Sequence, residues 1–181
     1  MGAFSGPGSA VKEDGTFELK GLSGGRVLRV NGLPAGWSLK AVESNGLDVT
    51  DSGIEFKGSD TVSGIDIVLS SKTTEINGSV TTGDGSAAKD YTVIVFAEDQ
   101  QKWAAPSTRW ITGMRPDQDG RFHIRSMPAG SYYGIALEYV AQGDWNDPEL
   151  LDRLKLKAQR FSLGDGENKT LDLKVATGGV D

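Results

Sequence analysis

Cysteine is absent from this chain, and histidine occurs once, at His123. The first absence excludes disulfides, thiolate metal sites and cysteine nucleophiles. It does not choose a compartment, because many extracytoplasmic bacterial proteins lack cysteine too. The second leaves zinc without its usual ligands, since neither His-x-x-Glu nor His-Glu-x-x-His occurs. Basic residues are outnumbered, 19 Lys and Arg against 25 Asp and Glu, for a formal charge of -6. Such a surface repels phosphate backbones and disfavours nucleic-acid binding. No apolar run approaches the length that crosses a bilayer. Residues 1–9 have neither the basic start nor the apolar stretch of a signal peptide and read as a flexible linker or expression scar.

What is present is glycine, 25 residues of it, and a repeated pattern. Asp14-Gly15-Thr16-Phe17-Glu18-Leu19-Lys20-Gly21-Leu22 returns as Asp119-Gly120-Arg121-Phe122-His123-Ile124-Arg125-Ser126-Met127. Ile65-Asp66-Ile67-Val68-Leu69 is answered by Leu171-Asp172-Leu173-Lys174-Val175. The offsets are 105 (119 minus 14) and 106 (171 minus 65), too long for a solenoid and suited to one small β-domain per copy. The first copy begins shortly before its Asp-Gly turn, whereas strand-like sequence precedes the second from about Glu75. The expected organisation is therefore a partial first sandwich over 10–72 and a complete second one over 73–177.

Period-2 alternation dominates both copies. Phe17 and Leu19 point one way and Glu18 and Lys20 the other; Phe122 and Ile124 oppose His123 and Arg125 in the same manner. Further first-copy strands are expected at Arg26–Val30, Ser38–Val42 and Ile65–Leu69. In the second copy they are expected at Glu75–Thr81, Tyr91–Glu98, Thr108–Met114, Arg121–Ser126, Tyr132–Tyr139, Gln159–Leu163 and Thr170–Val175. Tyr91–Phe96 is apolar on both faces, as a central strand covered on each side would be. Asp14-Gly15, Asn45-Gly46, Asp84-Gly85, Asp119-Gly120 and Asp165-Gly166 supply hairpin turns. One segment breaks the pattern: Asn146-Asp147-Pro148-Glu149 reads as a helix start, with Leu150, Leu151, Leu154 and Ala158 at helical spacing. The fold class is all-β: two tandem antiparallel β-sandwich units with one short helix in the second.

The order Gly78-Ser79-Val80, then Tyr91–Phe96, Asp119-Gly120-Arg121-Phe122 and Met127-Pro128-Ala129-Gly130-Ser131-Tyr132 resembles the carboxypeptidase regulatory-like domain, a sandwich of the transthyretin (prealbumin-like) type. The resemblance covers Thr73–Thr177 and, in part, Gly8–Ser71. It implies a non-catalytic structural, adhesion or assembly module of a larger secreted or envelope-associated bacterial protein, without cofactor. Asn77-Gly78-Ser79 and Asn168-Lys169-Thr170 match the glycosylation rule, which in such a bacterial chain is coincidence.

The candidate site residues are few. Trp103, Trp110 and Trp145, with Asp144 and Asn146, could form an exposed platform for the faces of sugars, giving a carbohydrate-binding module as the alternative function. The competing reading folds these indoles back over the helix and the end of the core. Trp37 reads as a core anchor of the first unit. Asp117 and Asp119 open like a calcium loop, but Arg121 follows and no nearby acid completes it, so a hairpin turn is preferred. His123 reads as an exposed strand residue. For partners, the incomplete first copy points to a protein partner or self-association through open strand edges, with polysaccharide as the other candidate and neither nucleic acid nor membrane insertion expected.

Overall fold

The structure, a computed structural model, describes residues 10–58, 61–104 and 108–176. They form two compact units, the larger comprising 30–40 and the chain from Leu69 onward, the smaller the remainder. Two of the three boundaries fall inside strands, β2 (Ser38–Ser44) and β5 (Ile65–Ser70).

The larger unit is an antiparallel β-sandwich. One sheet has the order β11 (Gln159–Leu163), β10 (Gly130–Leu137), β7 (Thr92–Ala97), β8 (Ile111–Met114). The other is built on β6 (Glu75–Thr81), with β9 (Arg121–Arg125) antiparallel on one side. On its other side the last strand runs parallel, in two pieces, β12 (Asn168–Thr170) and β13 (Leu173–Lys174). Alternation explains the packing between the sheets. Ile76, Val80, Phe122, Ile124, Leu171 and Leu173 turn inward from one sheet and meet Val93, Val95, Tyr132, Ala136 and Leu163 from the other.

Strand β7 is buried on both faces, as its uninterrupted apolar run requires. Its second face carries Ile94 and Phe96, which with Ile135 and Leu137 lie under the helix α1 (Pro148–Leu154) and its Leu150, Leu151 and Leu154. The helix starts where the sequence says it should: the Asp147 carboxylate accepts the Glu149 N–H at 3.0 Å and Pro148 needs no donor partner at the first position. The Pro-x-Gly-x-Tyr word has a physical reading too. The Tyr132 hydroxyl donates to the Pro128 carbonyl at 2.7 Å, locking the turn onto the strand that follows it.

The smaller unit contains a two-stranded sheet, β1 (Gly24–Arg26) with β4 (Ile54–Phe56), and part of the sheet β3 (Leu47–Asp48), β2, β5. Its Asp-Gly turn matches that of the larger unit bond for bond. Lys12 N–H donates to Thr16 O and Gly15 N–H to Lys12 O, at 2.8 and 2.9 Å; Asp117 N–H donates to Arg121 O and Gly120 N–H to Asp117 O, at 2.7 and 3.1 Å. After the turn the two part. Arg121–Arg125 forms a ladder with β6, whereas Phe17–Lys20, expected to be a strand, has no ladder among the described residues. Side-chain alternation alone does not make a strand without a neighbouring edge to bond. The expected strand Arg26–Val30 likewise shrinks to its first residue, β1 lying one turn earlier.

The centre of the smaller unit is polar. Thr50, 1% exposed, accepts the Val42 N–H at 2.8 Å through its hydroxyl, which donates to Asp48. Arg29 donates to the Thr50 carbonyl at 2.6 Å and pairs with Asp51 at 3.3 Å. Only Ala41 and Val42 are buried apolar residues of this unit among the described residues.

Candidate functional site

The tryptophans are not a platform. Trp103 is 4% exposed, its indole N–H donates to the Ala97 carbonyl at 2.7 Å, and its ring meets Phe96 edge-on at 5.6 Å. It is core, as the reading that folds the indoles back has it, because the 3₁₀ turn Gln100–Trp103 that follows β7 swings it back over that strand. Trp110 packs against the core between the sheets instead, partly buried. Tyr132 stacks on it with centroids 6.0 Å apart, and the Lys102 ammonium stands 3.6 Å from its centroid. Trp145 is half-buried on the helix-covered face and lies flat against β8, where a Cβ on Gly113 would come within 2.5 Å of the indole. Asp144 and Asn146 are exposed, and the Asn146 amide donates to the Gly143 carbonyl at 3.1 Å within the turn carrying Trp145. Trp37, expected in a core, is 46% exposed and groups with the larger unit.

Asp117 and Asp119 behave as turn residues. One Asp117 oxygen accepts the N–H groups of Asp119 and Arg121 at 2.9 and 3.0 Å. Those bonds, that from Arg121 foremost, hold its carboxyl below the usual aspartate range. Next to it, burial and then the Asp117 charge push the Tyr91 phenol up, its hydroxyl donating to Gly120 O at 2.8 Å. Among the described residues no group of three His, Asp or Glu side chains is placed to hold a metal. Gly21-Leu22-Ser23-Gly24-Gly25 spells Gly-x-Ser-x-Gly, but it leads into the three-residue strand β1 and not from a strand into a helix, as a nucleophile elbow would.

The residues the structure does bring together lie on the other sheet. Helix and turns cover the outer face of β11-β10-β7-β8, while the outer face of β9-β6-β12 is a polar array three strands wide. Register sets its rows: Arg125, Glu75 and Asn168; His123, Asn77 and Thr170; Arg121, Ser79 and Asp172. The last row holds although the ladder is interrupted at Leu171–Asp172. Asp172 keeps the register by accepting both the N–H and the hydroxyl of Ser79, at 3.2 and 3.1 Å. Lateral bonds tie the rest. Asn77 donates to Asn168 at 2.9 Å, and Glu75 stands 3.5 Å from both His123 and Arg125. The lower two rows, with Asp117, line an open groove of about 520 Å³. Sequence alternation placed His123 and Arg125 on this face, but nothing in it aligned them with Asn77 or Asp172. The signal was there only as the two Asn-x-Ser/Thr matches, which begin at the paired amides.

The fold and site together define an all-β protein whose larger unit is a sandwich, antiparallel but for its last strand, with one covered and one open polar face. No protein-family model matches the chain, and no curated protein matches it. Solved structures do resemble it. One is the dioxygenase domain of a dioxygenase carbohydrate-binding protein fusion from Streptomyces sp. SirexAA-E, 12% identical with a TM-score of 0.34 over 57% of this chain and 80% of that one. Another is a putative carbohydrate binding protein from Pseudomonas aeruginosa, 17% identical with a TM-score of 0.31 over 55% of this chain and 86% of that one. A third is a streptococcal ancillary pilin, 14% identical with a TM-score of 0.39 over 71% of this chain but 38% of the pilin. The activities in those names belong to those proteins. Among the described residues no helix is long and apolar enough to cross a membrane.

Proposed function

We propose that this chain is a non-catalytic structural and assembly module, of the carboxypeptidase regulatory-like kind, from a larger extracytoplasmic protein. The observation that carries this reading is the contrast between its units. The larger has a core between its sheets and a second under its helix. Among the described residues the smaller buries two apolar side chains and has a two-stranded sheet and part of a three-stranded one, whose outer strands bond no further strand. A unit so poor in buried apolar surface is marginal alone, and free edges are templates for another strand. A further polypeptide segment adding to these edges would complete it by β-augmentation, and a second copy of the chain is the segment most easily supplied in solution. Light scattering over a wide concentration range tests this. Mass rising towards the dimer is expected; a strict monomer at the highest concentration would count against strand sharing. The tryptophan platform is not carried forward, because Trp103 is buried and Trp110 packs against the core with Tyr132 and Lys102 on its ring.

A further inference from the structure

The polar face of the β9-β6-β12 sheet has no part in the assembly reading, and we infer that its groove binds a neutral polyhydroxylated ligand, an oligosaccharide laid across the strands. Four observations point there. First, the groove is concave, and its volume of about 520 Å³ lies in the range of small-molecule sites. Second, the side chains around it are polar or charged, with Phe122, 3% exposed, beneath them. Third, its charges oppose one another. Arg121 lines the groove together with Asp117 and Asp172 in a chain of formal charge -6, which selects against polyanions. Fourth, the groups are already ordered. Asp172 is held by Ser79, Asn77 by Asn168, and Asp117 by two backbone N–H groups, so little side-chain freedom remains to be lost on binding.

What such a surface recognises follows from its spacing. Cross-strand neighbours stand about 5 Å apart, the scale of one sugar ring, and the groove offers a donor in Arg121, an acceptor in Asp172, and groups that do both in Asn77, Ser79 and Thr170. Adjacent hydroxyls of a sugar each donate and accept, so they can bridge the Arg121 guanidinium and the Asp172 carboxylate, or the Asn77 amide and the Thr170 hydroxyl. Among the described residues lining the groove no exposed Trp, Tyr or Phe offers a stacking face, and hydrogen bonds exchanged with water leave a modest net gain. The affinity expected is therefore weak, about 1 mM.

Amide-resolved NMR titration of the whole chain tests the inference, with cellohexaose, xylohexaose and mannohexaose as neutral probes and hexagalacturonate as the acidic one. The expected result is saturable shifts at Asn77, Ser79, Arg121, His123 and Thr170 with at least one neutral probe. Asn77→Ala and Arg121→Ala should each weaken binding about tenfold, the loss of one strong hydrogen bond, and Trp145→Ala should leave it unchanged. Peak dispersion in the same spectra reports folding, and Thr170→Val replaces either variant that loses it. No shift at ten times the expected dissociation constant, shifts centred on Trp145, or tighter binding of hexagalacturonate would each overturn the assignment. None of these outcomes bears on the assembly reading, which is decided by mass.

Discussion

Two residues show how much of the polar face depends on single side chains. Gly78 sits in the middle of β6, where the last strand leans in so closely that a Cβ would stand 1.9 Å from the Leu171 carbonyl oxygen and 2.7 Å from Phe122. Both obstacles are fixed, one as backbone and one as a core ring. Gly78→Ala should therefore destabilise the larger unit by about 3 kcal/mol, the upper range for overpacking, and calorimetry should show its transition at lower temperature. Asp117 acts through charge. Its carboxyl is held below its ordinary range by native hydrogen bonds, first that of the Arg121 N–H. A group with a depressed folded value contributes stability above its unfolded value and loses it as pH falls through the folded one. Asp117→Ala should melt below the parent chain at pH 7, and the gap should close in strongly acid solution. A gap that stays constant down to the lowest pH would mean that the turn does not depend on the ionised carboxylate.

At the scale of elements, what could be read from sequence depended on whether a strand's partner was part of the same pattern. Ser38–Ser44, Glu75–Thr81, Arg121–Arg125 and Gln159–Leu163 form nearly where alternation places them, because each has a neighbouring edge to bond. Phe17–Lys20 alternates as clearly and forms no ladder among the described residues. Pairing is a property of two segments, and period-2 patterning reports only one of them. The same limit hid the polar array, whose rows join residues 93 positions apart, as in Ser79 and Asp172. The helix was legible because its start is local: Asp147, Pro148 and the leucines that follow carry the whole instruction. Its contribution can be separated into cap and core. Asp147→Ala should cost about 1 kcal/mol, the value of a side-chain cap. Leu151→Ala, at a fully buried position over β7, should cost about 3 kcal/mol in transfer and cavity terms. Thermal denaturation of the two variants should show this order; equal losses would place the helix outside the core that Leu151 fills.

For the whole molecule the decisive property is the unequal distribution of buried apolar surface. Apolar burial stabilises by roughly 25 cal/mol per Å² removed from water, and ordering each residue's backbone costs about 1–2 kcal/mol. A unit whose fully buried apolar residues, among those described, are Ala41 and Val42, most of its other aliphatic side chains being half-buried, has less to set against that cost than the larger one. The Thr50 network satisfies its polar groups but contributes only the modest net gain of exchanging water for protein partners. In the larger unit, β7 and β10 have neighbours on both sides, and every residue of β7 is buried. Local opening should follow this division. In hydrogen exchange read by mass spectrometry on dilute protein, peptides covering β1 and β4 should exchange early, and those covering β7 and β10 last. Raising the concentration should slow β1 and β4 alone, because added strands protect edges and leave a completed sandwich unchanged. Protection that is equal in both units when dilute would show the smaller unit to be self-sufficient, and the assembly proposal would lose its physical basis.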